Sequence, residues 1–500
     1  AAWNAAMKLF ESQNYEAAAA SFTTLAPDFL ALKDINSSAI LYHHLGDCYS
    51  SLGNYQMASA CYLRESDFWA MAGKNDETID SKRRSNLIST SHRLYIETDD
   101  KTYSAGKYFR ADYEPSNGII LGAYAEGDSN IHDPYVKDKF YMDTFPSLVG
   151  KEHGAYLLYL PYGDDILGYA SHLKRAKDLG LILQISLEPH DGLEMVKDND
   201  PYLITLAKNM ENSGVKLMLR FAGEMNDTTG QWYTTNYELF KEKFRIVSKI
   251  FHVYAPSVPV IWSPNFYPEN NIENYYPGDE YVDYVGVSSY KFHQPETDPL
   301  GKGVDRSRWS SQLDTIYSLY GDKKPIIISE GSASYMDYNT GEDITDFACK
   351  QLYDFYAYLP IKYPNVKMVF IFDSDRERQK FCLSKNQKFL ETYKKAISND
   401  SYLDGLNPEK TNNEYYELSN NVTVSAKKAD VCSYIQYPDD SAAYVSYFIN
   451  GESKGSSYEI PYNVNIDFSN YKGQTVKLKA DSYSKEGKLL TESEITIKVE

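Results

Sequence analysis

The sequence is poor in basic residues, with 51 lysines and arginines against 70 aspartates and glutamates and a formal net charge of −19. A nucleic-acid partner requires the opposite charge, because binding neutralises phosphates with lysine and arginine. No apolar run in the sequence approaches the roughly 20 residues of a membrane-spanning helix. We therefore expect neither nucleic acid as a partner nor a membrane span in this chain.

Cysteine is also scarce. The five cysteines are odd in number and scattered, at Cys48, Cys61, Cys349, Cys382 and Cys432. Their spacing resembles neither a zinc site nor a disulfide framework, so we interpret them as small buried apolar side chains. The sequence also contains no HExxH motif and no glycine-rich phosphate loop. We predict that no metal or organic cofactor is needed.

Tyrosine, in contrast, is abundant, with 46 residues against 21 phenylalanines. Its ring stacks on sugar faces and its hydroxyl forms hydrogen bonds, which favours a protein that handles glycans, although acidic secreted proteins share this bias. The sequence starts at Ala-Ala-Trp without a methionine, so we expect that an export signal or anchor was trimmed away. We infer a secreted or cell-surface location.

The 500 residues are too many for one core and predict two to four domains. Residues 1–93 are predicted to be helical, and one layout returns after forty residues. Its second copy resembles a tetratricopeptide repeat and comprises Leu45-Gly46, Tyr49, Gly53, Tyr55, Ala58 and Tyr62. Such repeats usually bind a partner protein, and a module that only steadies the next domain is an equal alternative. Residues 94–117 are predicted to be a linker with an extended segment.

Residues 118–400 alternate predicted strands with amphipathic helices, which is the size and order of a (β/α)8 barrel. An open doubly wound sheet is the alternative, yet no glycine-rich turn follows the first strand. The predicted strands are 119–124, 155–161, 181–187, 216–221, 258–262, 282–288, 325–329 and 366–372.

A glutamate follows each of two predicted strands: Glu224 comes three residues after 216–221, and Glu330 comes directly after 325–329. Barrel enzymes keep their chemistry at the C-terminal ends of the strands. Two carboxylates at such positions are what glycoside hydrolysis requires. We predict that this pair is catalytic. Arg220 on the first of these strands either points inward and favours an ionised Glu330, or satisfies backbone in the barrel wall.

Other predicted strand ends carry aromatic, amide and acidic residues that suit a sugar-binding rim. Each is a weak indication alone, because a lone tryptophan at a strand end is as often part of the core. Their coincidence at one rim supports the prediction. These residues are Glu188, His190, Asn226, Trp232, Tyr233, Trp262, Asn265, Tyr290 and Phe372.

Three motifs in residues 118–400 resemble glycoside hydrolase family 26, a family of retaining (β/α)8 enzymes. The first is Arg220 with Glu224-Met-Asn226 and Trp232. The second is Tyr276-Pro-Gly-Asp279 leading into Val282-Asp283, Gly286 and Tyr290. The third runs from Lys324-Pro325 to Glu330.

The resemblance implies that Glu224 is the general acid/base and Glu330 the nucleophile. It also implies that Tyr290 donates a hydrogen bond to Glu330 and holds it ionised. Two departures matter: Gly223 stands where the family usually has a histidine, and Asp227-Thr-Thr-Gly230 replaces the glycine and aromatic residues usual around Trp232. We therefore expect a divergent member and do not assume that it cuts mannan.

Residues 401–419 are predicted to be a second linker, and residues 420–500 a small β-sandwich that resembles bacterial immunoglobulin-like modules. Such modules are commonly spacers; a carbohydrate-binding module is the alternative.

We predict a retaining endo-β-glycosidase that cuts mannan-like polysaccharides, xylan, β-glucan or a microbial exopolysaccharide. Retention requires carboxyl groups about 5–5.5 Å apart. A catalytically silent glycan-binding scaffold, whose helical repeats recruit a protein partner, is the alternative.

Overall fold

A closed barrel of eight parallel strands forms the middle part of the chain, and helices precede it and β-sheet strands follow it in the sequence. This arrangement confirms the predicted fold class. The computed structural model describes residues 2–98, 105–298, 305, 307–407, 414–438 and 442–500. Within these ranges, no helix combines the length and the apolar character needed to cross a membrane.

The N-terminal helices repeat at intervals of twenty residues. Their N-caps Asn14, Asp34 and Asn54 each accept a hydrogen bond from the backbone N–H three residues on, and each cap starts the single helix that follows it. The helices are α1 (Ala2–Glu11), α2 (Tyr15–Ala31), α3 (Ile35–Ser51), α4 (Tyr55–Met71) and α5 (Asn75–Ile88), and strand β1 (Ser91–Thr98) follows them.

Gly46 allows α3 and α4 to approach closely. A Cβ at this position would lie 2.4 Å from the nearest ring carbon of Tyr62 on α4. The Tyr62 hydroxyl then donates to Asp47 Oδ1 at 2.7 Å. The Leu-Gly pair of the predicted repeat therefore has a packing role, since a larger residue would separate the two helices.

The eight barrel strands coincide with the predicted ones to within a few residues. They are β2 (Ile120–Tyr124), β3 (Ala155–Pro161), β4 (Ile182–Glu188), β5 (Lys216–Phe221), β6 (Val260–Trp262), β7 (Tyr284–Ser288), β8 (Ile326–Gly331) and β9 (Val366–Phe372). The helices between and after them are α6 (Tyr141–Val149), α7 (Ala170–Leu179), α8 (Pro201–Asn212), α9 (Tyr237–Tyr254), α10 (Asp314–Tyr320), α11 (Thr345–Lys362) and α12 (Gln387–Ala396).

The barrel interior changes from apolar to polar along the strands. Ile182, Met218 and Ile327 belong to an apolar cluster in the interior. Side chains alternate along a strand, so the residue two positions after Met218 also faces inward. That residue is Arg220, and it lies at the C-terminal end of the barrel, where an enzyme of this fold keeps its chemistry.

Strand β8 is irregular where it approaches this end of the barrel. Its register with β7 shifts between Val287 and Ser288, so that Ser288 pairs with Glu330. Ile327 faces inward, and so does Ser329, whose hydroxyl accepts a hydrogen bond from Ser263 Oγ at 2.9 Å. Simple alternation along the strand would therefore turn Glu330 outward. An irregularity of this kind re-aims a side chain next to a functional site.

The C-terminal strands form two sheets, and β1 is one of their members. The four-stranded sheet has the order β10-β1-β12-β15 and the five-stranded sheet the order β11-β17-β16-β13-β14. The strands are β10 (Glu414–Leu418), β11 (Val422–Val424), β12 (Lys428–Gln436), β13 (Tyr444–Ile449), β14 (Glu452–Ser457), β15 (Val464–Asp467), β16 (Thr475–Tyr483) and β17 (Leu489–Val499).

These sheets correct the predicted domain organisation. Strand β1 overlaps the predicted linker 94–117 and β10 lies inside the predicted linker 401–419, so each contributes to a sheet. The helices and sheets also form one compact unit, separate from the barrel unit. Gln436 Nε2 donates to the Asn86 carbonyl at 3.0 Å within this unit. Residues 99–104 and 408–413 of the two linkers lie outside the described residues.

Three tyrosine rings contact one another on the five-stranded sheet. The Tyr444 ring lies 5.1 Å from that of Tyr483 and 5.2 Å from that of Tyr458, measured between centroids. Tyr458 is 73% exposed. Exposed aromatic rings can stack on sugar faces, so this cluster is compatible with the carbohydrate-binding alternative for the C-terminal sandwich.

Gly286 should be intolerant of a side chain. A Cβ there would lie 2.3 Å from Ser329 Oγ and 2.8 Å from Ser263 Cβ inside the barrel. We expect Gly286→Ala to lower the free energy of unfolding by about 1–3 kcal/mol, because overpacking displaces buried neighbours. Gly168→Ala is the matched control, since no atom lies within 4 Å of its added Cβ. Equal denaturation midpoints for the two variants would contradict this packing.

Candidate active site

Glu330 is held by two donors at the C-terminal end of the barrel. Tyr159 Oη donates to Glu330 Oε2 at 2.5 Å, and Arg220 Nη1 donates to the same oxygen at 3.0 Å. The Glu330 residue is only 5% exposed. A buried carboxylate with a cation and a hydroxyl on one oxygen is stabilised in its charged form.

Arg220 points into the barrel, which resolves the two alternatives for this residue. It is 2% exposed, and its second guanidinium nitrogen, Nη2, donates to Ser288 Oγ at 2.6 Å. The anionic Glu330 raises the pKa of Arg220 despite the opposing effect of burial. The arginine therefore stays charged and fixes both its partners.

Gly223 makes room for this arginine. A Cβ at position 223 would lie 2.4 Å from Arg220 Nε and 2.6 Å from Cζ and Nη2. No side chain fits there while the guanidinium keeps its place. The departure at this position is thus coupled to the inward conformation of Arg220.

Glu224 lies on the loop that follows β5, in a different setting. Both Ala222 and Glu224 have a left-handed backbone, with φ of 45° and 60°, a conformation that non-glycine residues adopt mainly where the surroundings enforce it. The Glu224 N–H donates to the Ser263 carbonyl at 2.8 Å. Asn265 Nδ2 donates to Glu224 Oε1 at 3.1 Å. These contacts aim the half-buried carboxyl group.

The pKa of Glu224 is raised to about 7. Burial is the largest cause, and the negative charge of Glu330 adds to it, whereas Arg220 and the Ser288 hydroxyl oppose it. Glu224 can therefore carry a proton near neutral pH beside an ionised Glu330. Two carboxyl groups whose surroundings separate their protonation states can act as acid and nucleophile.

The tyrosine that donates to Glu330 is Tyr159, from β3, where the sequence predicts Tyr290. Tyr290 lies nearby, since Glu330 and Glu224 both contribute to raising its pKa after the larger effect of burial. Its ring packs against Phe372 and Phe381, at 5.7 and 5.4 Å between centroids. The sequence analysis missed Tyr159 because it sits inside a strand and not at its end.

Asn226 and Trp232 support the loop that carries Glu224. Asn226 is fully buried, and its amide nitrogen donates to the carbonyls of Asn265 and Pro268 at 2.9 and 3.1 Å. Trp232 Nε1 donates to the Gly223 carbonyl at 2.8 Å. Both residues therefore position the acid loop, and Asn226 is too buried to contact a substrate.

Trp262 does not line the rim, contrary to the prediction. It is fully buried, and its ring packs against Tyr276 and Tyr320 at 5.0 and 5.3 Å. The neighbouring Ile261 belongs to the barrel interior. Since side chains alternate, Trp262 faces outward, toward the surrounding helices.

The remaining predicted residues differ in their access to the cleft. Glu188 has a raised pKa, chiefly through burial, and its Oε2 lies 3.2 Å from Nε2 of the exposed His190. Phe372 is 2% exposed and stacks on Tyr124 at 4.9 Å. Tyr233 packs partly buried against the main core. The sequence analysis missed the exposed Arg376, whose guanidinium lies 5.4 Å above the Phe372 ring.

Residues 188–301 match the model of glycosyl hydrolase family 26. The match contains Arg220 and Glu224 and ends before Glu330, whose position comes from the geometry above. This part of the barrel is similar to glycosyl hydrolase family 26. The resemblance inferred from the three sequence motifs is thereby confirmed.

Two kinds of relative accompany this match. A stretch of 225 residues is 26% identical to endoglucanase H of Acetivibrio thermocellus and covers 41% of this chain but 24% of that protein. The chain thus spans about a quarter of this curated relative.

Among solved structures, a Cellulomonas fimi endo-β-1,4-mannanase double mutant has a TM-score of 0.44 and 11% identity, over 76% of this chain and 94% of that one. A Bacteroides ovatus family 26 β-mannanase has a TM-score of 0.41 and 15% identity, over 58% and 91%.

Removing the charge of Glu330 should lower the pKa of Glu224. Glu330→Gln deletes the negative neighbour and leaves the positive charge of Arg220 to act on Glu224, so we expect its titration to move from about 7 toward lower pH. The titration is followed by ¹³C NMR of glutamate carboxyl carbons, assigned with Glu224→Gln. Asp227→Asn is the control, because Asp227 contributes little to the raised pKa of Glu224. An unchanged titration in Glu330→Gln would contradict the coupling.

Proposed function

We propose that the barrel hydrolyses a β-linked polysaccharide with retention of anomeric configuration. The observation that carries the proposal is the contrast between the two glutamates. Glu330 accepts hydrogen bonds from Arg220 and Tyr159, whereas the pKa of Glu224 is raised to about 7. A retaining glycosidase needs one carboxylate ionised and one carboxyl protonated at the start of the reaction.

In the first step, a Glu330 carboxylate oxygen attacks the anomeric carbon and forms a glycosyl ester. The bond to the leaving oxygen breaks, and Glu224 gives its proton to that oxygen. In the second step, the ionised Glu224 takes a proton from water, whose oxygen attacks the anomeric carbon. The Glu330 ester bond breaks, and both carboxyl groups return to their starting states.

Arg220 and Tyr159 support this cycle through Glu330. Both contact Oε2, so the other carboxylate oxygen, Oε1, is available to attack the sugar. The fixed guanidinium also prevents rotation of the Glu330 side chain, and a held nucleophile loses less entropy on reaching the transition state. When the ester forms, the positive charge of Arg220 near Glu224 favours its ionised form as the base.

The substrate class follows from the rim and from the family. Glu188 and His190 can hydrogen-bond sugar hydroxyls, and the half-buried Tyr124, which stacks on the buried Phe372, offers a ring near the cleft. The name of the A. thermocellus relative, endoglucanase H, favours cleavage within a β-glucan. Mannan-like polysaccharides, xylan and microbial exopolysaccharides complete the panel to be tested. The polysaccharides of this panel are polymers that are degraded outside the cell, which agrees with the inferred location.

A catalytically silent glycan-binding scaffold is the second candidate, favoured by the glycine at position 223. The raised pKa of Glu224, beside a Glu330 that is held by Arg220 and Tyr159, favours the enzyme, since binding alone does not need it. Recruitment of a protein partner by the helices of residues 1–93 stays a prediction.

The two glutamates should respond differently to substitution. Glu330→Gln removes the nucleophile, so turnover should fall by several orders of magnitude. Glu224→Ala should still form the glycosyl ester from an aryl glycoside with a good leaving group, and then stall for want of a base. Added azide needs no base, so it should restore turnover in Glu224→Ala and give a glycosyl azide of retained configuration. Azide rescue of neither variant, or of Glu330→Gln alone, would contradict the assigned roles.

Gly223→Ala should impair catalysis through Arg220. The added Cβ would overlap the guanidinium and displace it from Glu330. We expect kcat/KM to fall by about 10–100-fold, as for loss of a hydrogen bond to a charged group worth about 1.5–3 kcal/mol. Gly230→Ala on the same loop is the control, because its Cβ would meet only the Asp227 carbonyl at 3.2 Å and the Glu224 carbonyl at 3.8 Å. Equal kcat/KM values for the two variants would show that Arg220 does not act on Glu330.

A further inference from the structure

A second cluster of ionisable side chains lies apart from the two glutamates. Asp128 follows β2, Asp373 follows β9 directly, and Cys382 lies nine residues further on. One ligand atom from each, two carboxylate oxygens and Cys382 Sγ, lie within 4.8 Å of one another. Strands β2 and β9 are the first and last of the barrel and pair with each other. The cluster therefore stands where the barrel closes.

Each carboxylate has one oxygen fixed and one free. Asp128 Oδ1 accepts the Asn130 N–H at 2.9 Å and the Ser384 hydroxyl at 2.8 Å. Asp373 Oδ1 accepts the Leu383 N–H at 2.6 Å. The Oδ2 atoms of both aspartates are buried and have no hydrogen-bond partner among the described residues. Both aspartates are 0% exposed.

Lys385 interacts electrostatically with Cys382 and Asp128, but its ion pair is with Asp375. Lys380 and Lys385 lie 3.9 and 3.3 Å from Asp375, and neither forms an ion pair with Asp128 or Asp373 in the ranges that the structure describes. Burying two carboxylates side by side is costly unless a positive charge joins them.

We propose that Asp128, Asp373 and Cys382 bind a divalent transition-metal cation of the Zn²⁺ class. Two carboxylate oxygens and a sulfur suit zinc, with bonds of about 2.0–2.2 Å to oxygen and about 2.3 Å to sulfur. A thiolate ligand disfavours Ca²⁺ and Mg²⁺, which take oxygen ligands alone. The Ser384 hydroxyl, 3.7 Å from Cys382 Sγ and bonded to Asp128 Oδ1, is a candidate fourth ligand.

The cation would be structural. It would tie the loop after the first barrel strand to the segment after the last one, and Cys382 would act as a ligand in place of the small apolar side chain that the sequence suggests. No two of the three residues form a short-spaced zinc motif, because the site is assembled by barrel closure. The competing explanation is a proton, which would convert the aspartates into a neutral acid and a carboxylate sharing it.

The test uses the untagged full chain purified without chelator, and measures bound metal by mass spectrometry and the Tm by calorimetry. We expect about one Zn²⁺ per chain, a lower Tm after EDTA treatment and recovery of the Tm on adding Zn²⁺, because a ligand that binds only the native state stabilises it. Replacement by Co²⁺ should produce thiolate-to-cobalt charge-transfer absorption that Cys382→Ser abolishes. Cys349→Ser, another buried cysteine, is the matched control and should keep metal and absorption.

Asp373→Asn separates the cation from the proton. It keeps the shape of the side chain and removes one charge, so it should lose the metal and lower the Tm if a cation is present. Wild type without stoichiometric metal, whose Tm ignores both EDTA and Zn²⁺, would overturn the proposal. An Asp373→Asn variant as stable as wild type would then identify the shared proton. The metal content and Tm of wild type decide the matter even where a variant fails to fold.

Discussion

The ion pair between Arg220 and Glu330 is the interaction on which the site depends. Both side chains are almost fully buried, at 2% and 5% exposure. A buried ion pair gains little net stability, and breaking it by removing one partner costs about 3–5 kcal/mol because an unpaired charge is left behind. Ser288 accepts from Arg220 Nη2 and Tyr159 donates to Glu330 Oε2, whereas Arg220 Nε is buried without a hydrogen-bond partner among the described residues. Burial of this ion pair therefore costs free energy, and a role in catalysis explains its presence better than a role in stability does.

The same pair determines how the second glutamate behaves. Glu224 is close enough to Glu330 for the negative charge to raise its pKa, and its loop is held by Asn265 and the Ser263 carbonyl. Gly223, which departs from the family pattern, keeps space free for the guanidinium. The divergence at this position thus accompanies an arrangement in which arginine and tyrosine, without a histidine, surround the nucleophile.

The barrel and the two glutamates could be predicted because buried strands, amphipathic helices and strand ends all leave local patterns. Contacts between distant parts of the chain leave none. Strand β1 reads as an extended linker but lies in the four-stranded sheet between β10 and β12. Trp262 is the last residue of β6, and it faces outward because side chains alternate and the preceding Ile261 faces inward. Tyr159 is hidden in an apolar strand, and barrel closure alone brings Asp128 to Asp373.

Trapping the covalent intermediate tests whether Glu330 is the nucleophile of a retaining glycosidase. A panel of 2-deoxy-2-fluoro glycosides with good leaving groups slows the hydrolysis of the glycosyl ester relative to its formation. Intact-protein mass spectrometry should show one added sugar, and peptide mapping should place it on Glu330. An adduct on another residue, or turnover of the parent substrate with no adduct from any member of the panel, would contradict the account.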